Sequence, residues 1–188
     1  MNKITIILTL PVIILLNGCG ANNTRTQKYY TNNEHSKMTY CIGMSDTAMY
    51  VATEKLKSVP KEQLINYYAS KNNSRLNIAT VEKVYAANFT NAWDYTIGFF
   101  DECALNLAGV PASRVNFARY CAQNTLIADV AYSNKKYGYA KDHAYKQFAK
   151  FNSKTPYEIV DKVYSSSGSR AEIKLDVWNA CMTKISGD

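Results

Sequence analysis

The chain is poor in the residues on which enzymes and metal sites depend. Among 188 residues there are two histidines, five cysteines and eight glycines. No two cysteines are separated by two residues, no GxGxxG or GxxxxGK phosphate loop occurs, and no GxSxG motif is present. These absences argue against a zinc site, a nucleotide site and a serine hydrolase. We therefore predict no metal, no cofactor and no catalytic residues.

The chain also lacks a hydrophobic run long enough to cross a membrane. Its apolar stretch extends from Ile4 to Leu16, just after Lys3. As a helix it would be about 20 Å long, short of the roughly 30 Å hydrocarbon core. A basic start and an apolar run of this length are typical of a signal peptide. The run ends in Leu16-Asn17-Gly18-Cys19, which resembles the bacterial lipobox.

This resemblance implies cleavage before Cys19 and attachment of lipid to that cysteine. Residues 1–18 are then a signal peptide, and residues 19–38, which are polar, are predicted to be the lipidated cysteine and a flexible tether. Gly20, where Asp would direct retention in the inner membrane, implies the outer membrane. We expect the lipid anchor to make the membrane one of the partners of this protein.

Charge is modest and spread along the chain. The formal net charge is +7, and no block of lysine and arginine stands out. This pattern argues against a nucleic-acid surface and favours an acidic partner. The 15 tyrosines are typical either of binding surfaces or of packing between helices.

The second part of the chain repeats features of the first. Tyr40-Cys41 recurs as Tyr120-Cys121, VEKVY at 81–85 recurs as VDKVY at 160–164, and Cys103 recurs as Cys181. The offset falls from 80 to 79 to 78 at positions where loops are expected. We interpret this order as a duplication. The first copy is placed in residues 39–105, and a linker helix start with the second copy in residues 106–188.

Each copy has helical periodicity. Apolar residues recur every three or four positions after Cys41, and no segment shows the alternation of a strand. The sequences TPYE at 155–158 and SRAE at 169–172 have the capping-box pattern, so Thr155 and Ser169 are predicted N-caps. The predicted fold class is all-α, with about eight helices in two duplicated, disulfide-stapled halves.

Four cysteines remain besides Cys19, and an even number in an exported chain is typical of disulfides. Since each copy has one cysteine near its start and one near its end, we predict the pairs Cys41–Cys103 and Cys121–Cys181. Closing such long loops stabilises each copy by about 4 kcal/mol on the chain-entropy model.

Candidates for catalysis are weak. His143 is the one histidine outside the predicted tether, and its counterpart in the first copy is Gln63. Asp101 and Glu102 are neighbours on a helix, so their side chains point about 100° apart instead of facing each other. Asp94 lies seven residues from Asp101, too far for the two to share a proton.

Candidates for binding are the polar and aromatic residues that both copies share. We name three pairs as possible binding residues: Tyr40 and Tyr120, Lys83 and Lys162, Tyr85 and Tyr164. A core tyrosine with charges on the helix surface explains the same pattern more simply. Lys61 and Lys141, and Glu82 and Asp161, are also shared.

In size and organisation the chain resembles small periplasmic helical proteins that act as toxin-immunity factors or acid-stress chaperones. The function expected is non-catalytic binding at the cell envelope, of the immunity or inhibitor type, with an envelope or secreted protein as partner. A stress chaperone, or a wall-modifying enzyme with converging acidic residues, is the alternative.

Overall fold

A computed structural model describes residues 29–186, and these residues are all-α, as predicted. Within them, eight α-helices and one short 3₁₀ helix follow one another without a strand. The helices are α1 (Asn32–Leu56), α2 (Lys61–Ala69), α3 (Ser74–Ala86), α4 (Ala92–Asn106), α5 (Ala112–Lys136), α6 (Lys141–Phe148), α7 (Thr155–Ser165) and α8 (Arg170–Ser186). The 3₁₀ helix, Ala149–Phe151, follows α6. We call α1–α4 the first half and α5–α8 the second half.

The four long helices α1, α4, α5 and α8 form the centre of the molecule. Their buried side chains make one apolar cluster that includes Met38, Phe100, Ala118 and Trp178. The Trp178 indole nitrogen donates a hydrogen bond to the Thr39 hydroxyl at 2.9 Å, which fixes α8 against α1. The shorter helices pack on the sides, α2 and α3 in one cluster and α6 and α7 in another.

Both predicted disulfides are present. Cys41 is bonded to Cys103, and Cys121 to Cys181, across 62 and 60 residues. Three of these cysteines belong to the central core and Cys181 packs against it. The two bonds therefore hold the same end of the bundle, which we call the disulfide end.

Helices α1 and α5 lie side by side and run in the same direction. The Tyr30 hydroxyl, just before α1, donates to the backbone carbonyl of Arg114 at 2.5 Å and accepts from the Ala118 amide at 3.1 Å. At the other end, α1 carries Tyr50 and α5 ends just before Tyr137, which is close enough to Tyr50 to contribute to raising its pKa. We call this the distal end.

The predicted tether is wrong over residues 29–38, since α1 begins at Asn32. Thr31 and Glu34 form a capping box, and Tyr30 and Met38 are buried. Few apolar residues occur in this stretch, but α5 supplies the surface that covers them. The signal peptide, Cys19 and the first part of the tether lie outside the described residues.

The two predicted caps have different outcomes. Ser169 and Glu172 exchange side-chain and backbone hydrogen bonds at 2.8 and 3.3 Å, so that capping box is confirmed. Thr155 is not an N-cap: α7 begins at this residue, and its amide donates instead to the Ser153 hydroxyl at 3.3 Å.

The order of helices is the same in both halves, and several contacts recur at corresponding positions. The duplication itself stays a prediction from the sequence. No helix among residues 29–186 combines the length and apolar character needed to cross a bilayer.

Candidate functional site

Tyr85 and Tyr164, predicted as possible binding residues, occupy equivalent structural positions. The Tyr85 hydroxyl donates to the backbone carbonyl of Val59 at 2.5 Å, and that of Tyr164 to the carbonyl of Tyr139 at 3.0 Å. Each bond fixes the third helix of its half to the loop that precedes the second helix. Burial raises the pKa of both phenols. These contacts favour packing as the reason for the shared tyrosines.

The shared charges at the start of α2 and α6 form matching surface ion pairs. Lys61 contacts Glu82 at 2.9 Å, and Lys141 contacts Asp161 at 2.8 Å. Hydrogen bonds from Lys141 and then from Tyr145 lower the pKa of Asp161. Such exposed pairs contribute little to stability and leave few free charges for a ligand.

Tyr40 and Lys83 lie together in the first half, at an apolar groove near the disulfide end. The groove has a volume of about 360 Å³, within the range of ligand pockets. Helices α1, α3 and α4 form its walls. It is lined by Tyr40, Met44, Leu76, Ala79, Thr80, Lys83, Phe99, Glu102, Cys103, Asn106 and Leu107.

The polar part of the groove is a bridge between α3 and α4. The Lys83 ammonium contacts the Glu102 carboxylate at 2.5 Å and lies 5.0 Å from the centre of the Phe99 ring. Tyr40 and Leu107 at the rim are each 46% exposed. The groove therefore offers an apolar floor with one neutralised ion pair.

The corresponding place in the second half is built differently. At the offsets of the repeat, Tyr120 and Asn124 replace Tyr40 and Met44, and Thr155 replaces Leu76. The Tyr120 hydroxyl donates to the Thr155 hydroxyl at 3.3 Å, and the Asn124 amide lies 3.7 Å from the Cys181 sulfur. Lys162, the counterpart of Lys83, is exposed. The six candidate binding residues thus do not form two equivalent grooves.

The catalytic candidates are dispersed. His143 is exposed on α6 and stacks on the Tyr139 ring at 4.7 Å. Asp101 accepts two hydrogen bonds from Arg119, at 2.8 and 3.0 Å, and Glu102 is bridged to Lys83. Asp94, in the first turn of α4, is exposed. Across residues 29–186 no group of three acidic, histidine or cysteine side chains has metal-ligand geometry.

A tyrosine patch at the distal end was not predicted. Tyr50 on α1 and Tyr67 on α2 have ring centres 6.0 Å apart and are 43% and 48% exposed. Tyr137, at the end of α5, is 76% exposed. Burial, followed by the nearby Glu54 and Tyr67, raises the pKa of Tyr50, and Tyr137 acts in the same direction. The sequence signal was a set of tyrosines outside the repeated positions.

Lysines surround this patch. The Lys71 ammonium lies 4.9 Å from the centre of the Tyr67 ring. Lys57 contacts Glu54 at 2.8 Å with 62% of its side chain exposed, and Lys136 is exposed at the end of α5. Tyrosine rings flanked by cations suit a partner that has apolar side chains and acidic groups.

A buried ion network joins the two halves and was also missed. Lys174 of α8, with 12% of its side chain exposed, contacts the Asp46 carboxylate of α1 and lies 3.8 Å from Asp129 of α5. Arg170 makes two hydrogen bonds to Asp129, at 2.5 and 2.6 Å. Burial lowers the pKa of Lys174 to about 8, while the two carboxylates favour its charged form.

The chain matches no family model, no curated protein and no solved structure.

Proposed function

We propose that this protein is a lipid-anchored component of the bacterial cell envelope that acts by non-catalytic binding of an acidic protein. Lipid on Cys19 tethers it to the outer membrane. The tyrosine patch at the distal end is the surface that meets the partner. The partner is an envelope or secreted protein, and the role is of the immunity or inhibitor type.

The observation that carries the proposal is the exposure of Tyr50, Tyr67 and Tyr137 on one surface. Tyrosine supplies large amphipathic contact area with little conformational entropy to lose, and it is enriched at the centre of protein interfaces. Three such rings at one end of a small bundle exceed what packing requires, because nearly half or more of each is exposed.

The position of the patch agrees with a membrane tether. Tyr30 and the start of α1 lie at the disulfide end, and Tyr50 lies eighteen residues beyond Asn32 along α1. A helix of that length advances about 27 Å. If the chain is anchored through Cys19, the distal end points away from the anchor and is free to meet a partner.

Charge favours an acidic partner over a neutral one. Residues 106–188 carry 12 lysines and arginines against 7 acidic residues, whereas residues 39–105 carry 6 against 7. Lys136 brings the positive half to the edge of the patch, where Lys57 and Lys71 add to it. Association should therefore weaken as salt rises, because exposed charges are screened beyond about 8–10 Å at physiological salt.

Lipid anchoring is tested by growing cells with an alkyne fatty acid and detecting the label on the protein. The wild-type chain should be labelled, and Cys19→Ser should abolish the label and leave an uncleaved precursor. An unlabelled wild-type protein would show that the lipobox resemblance is misleading.

Binding is tested with a photo-crosslinking phenylalanine analogue at position 137, compared with the same analogue at position 40, which lies about 15 Å from Tyr50 along α1. Position 137 should capture one acidic protein in a saturable manner, and position 40 should not. Equal capture at both positions, or capture of many unrelated proteins at position 137, would contradict the proposal, and the second result would favour a chaperone.

The purified partner then allows a matched comparison. Tyr50→Ser with Tyr67→Ser should weaken its affinity at least about tenfold, the effect of losing one central interface residue. The control is Tyr40→Ser with Tyr120→Ser, because those tyrosines are each 46% exposed but lie near the disulfide end. Unchanged affinity in the patch variant would assign binding to another surface.

A further inference from the structure

The apolar groove of the first half has no role in the tyrosine patch, which lies at the opposite end. We infer that this groove is a binding site for an acyl chain, and that its occupant is one of the acyl chains carried by Cys19 of the same molecule. The inference rests on the proposed lipidation for its occupant, whereas the capacity of the groove to bind an acyl chain is independent of it.

The lining of the groove suits an acyl chain better than a polar ligand. Met44, Leu76, Phe99 and Leu107 supply its apolar surface, and the disulfide at Cys103 closes its floor. The one charged pair, Lys83 with Glu102, is neutralised within the groove itself. A methylene chain makes no demand for hydrogen bonds and can pass beside such a pair, while its own burial is favourable.

The position of the groove brings it within reach of Cys19. Tyr40 at its rim lies eight residues beyond Asn32 on α1, about 12 Å along the helix. Cys19 precedes Tyr29 by ten residues, which span at most about 33–36 Å when extended. The cysteine and the groove are therefore connected by enough chain for the lipid to enter, and the groove belongs to the half that follows Cys19 directly.

The contrast between the halves argues for a function and against a by-product of the fold. Where the first half has Met44 and Leu76, the second has Asn124 and Thr155, and the latter is tied to Tyr120. The same helix arrangement thus exists with polar side chains at these positions. The positions of Met44 and Leu76, which supply apolar surface in the first half, are polar in the second.

A bound acyl chain would give the protein two states. In one, a single acyl chain of the lipid is sheltered in the groove while the others remain in the bilayer; in the other, all of the chains are inserted. Stable anchoring takes more than one chain, so withdrawing a chain into the groove should weaken anchoring without releasing the protein.

The test uses a fluorescent palmitate analogue, whose emission rises on transfer from water to an apolar site. It is titrated into the unlipidated chain without its signal peptide (residues 20–188) and into the lipidated wild type, both in a bile-salt detergent that has no acyl chain. The unlipidated form should bind the probe, and the lipidated form should bind it at least about tenfold more weakly because its groove is filled.

A matched pair of variants locates the site. Ala79 is exposed on α3 and lines the groove, so Ala79→Trp should fill it and lower probe affinity at least about tenfold without disturbing the core. Its counterpart in the second half, Glu158→Trp, should bind the probe like the parent. Circular dichroism confirms that both variants are folded.

Four results would overturn the inference. If the unlipidated chain does not bind the probe, or if Ala79→Trp and Glu158→Trp bind it equally, the groove is not an acyl site. If the lipidated chain binds as tightly as the unlipidated one, the chain on Cys19 is not the occupant. Dimerisation that Ala79→Trp abolishes would assign the groove to a second copy. Absence of fatty-acid labelling in cells, with probe binding retained, would refute lipidation and with it the proposed occupant, but not the capacity of the groove to bind an acyl chain.

Discussion

Lys55 in the first half and Lys135 in the second direct their ammonium groups at the same feature, the carbonyl end of the third helix. Lys55 donates to the carbonyls of Val84, Tyr85 and Ala87 at 3.1, 3.0 and 2.5 Å. Lys135 donates to the carbonyl of Val163 at 3.1 Å and to that of Ser166. A cation at this place satisfies the last carbonyls and interacts favourably with the helix dipole.

Positions that differ between the halves have another role, since they form contacts between the two halves. Leu126 is fully buried, but its counterpart is Asp46, which reaches across to Lys174. Glu34 and Arg114 are also 80 residues apart, have opposite charges, and contact each other at 2.5 Å. Most residues shared by both halves therefore build each half, and residues that differ either join the halves or give each half its own surface; Tyr40 and Lys83 are shared but line the groove. This distinction directs attention to the groove and the tyrosine patch.

The two disulfides should make the largest contributions to the free energy of unfolding, and these contributions should be nearly equal. Replacing Cys41 and Cys103 with Ala, or Cys121 and Cys181 with Ala, should each lower the free energy of unfolding by about 4 kcal/mol, because the closed loops have 62 and 60 residues. Urea unfolding under non-reducing conditions measures both. A loss confined to one pair would break the equivalence of the halves.

The ion network should make the second largest contribution to stability, through the contact between the two halves. Lys174→Met leaves the carboxylates of Asp46 and Asp129 buried with fewer partners, so stability should fall by about 3 kcal/mol. Adding Asp46→Leu, which places in α1 the residue found at position 126, should recover much of that loss since the unpaired charge is gone. The midpoints of urea unfolding of the single and double variants test this expectation. A double variant no more stable than Lys174→Met would contradict it.

The sequence predicted the helical class, the cysteine pairing and the corresponding positions of the halves because these depend on spacing. Helical period and cysteine order can be counted along the chain, as at Cys41 and Cys103. The beginning of α1 was not predicted because the residues that bury it belong to α5, far away in the sequence. Tyr30, for example, is fixed by hydrogen bonds to the backbone of Arg114 and Ala118.

The candidate sites could be predicted only in part, for the same reason. Tyr40 and Lys83 were named from the repeat, but their meeting at a groove depends on how α1, α3 and α4 pack. Tyr50 and Tyr137 are 87 residues apart, and no local pattern relates them. Searching for shared residues also directed attention away from the positions where the halves differ.

The Glu34–Arg114 contact should give acid sensitivity to the junction of α1 with α5. Burial tends to raise the pKa of Glu34, but hydrogen bonds from Arg114 and Thr31 outweigh it and lower the pKa below its ordinary value of 4.5. A carboxyl whose pKa falls on folding stabilises the protein fully above the unfolded pKa, and that contribution is lost as pH falls through the folded value.

Glu34→Gln should therefore cost about 1–2 kcal/mol at pH 7, and its difference from wild type should shrink below pH 4.5. The measurement is urea unfolding at a series of pH values. Glu172→Gln is the control, since Glu172 belongs to a capping box without a cation from the other half; its effect at pH 7 should be smaller. Equal effects of the two variants would remove any special role for Arg114.

The smallest effects on stability should come from replacing the shared tyrosines. Comparing the two replacements shows how similar the equivalent hydrogen bonds of the two halves are. Tyr85→Phe removes the hydroxyl that donates to Val59 in a partly buried contact, which should cost about 1 kcal/mol. Tyr164→Phe removes the same bond, to Tyr139, at an exposed site where water replaces the lost partner, so the cost should be below about 0.5 kcal/mol. Thermal unfolding of the two variants gives the comparison. Neither variant should weaken binding of the acidic partner, because both hydroxyls are used inside their own half. If either variant reduced partner binding at unchanged stability, the shared tyrosines Tyr85 and Tyr164 would belong to a binding site, and the assignment of binding to the tyrosine patch alone would fail.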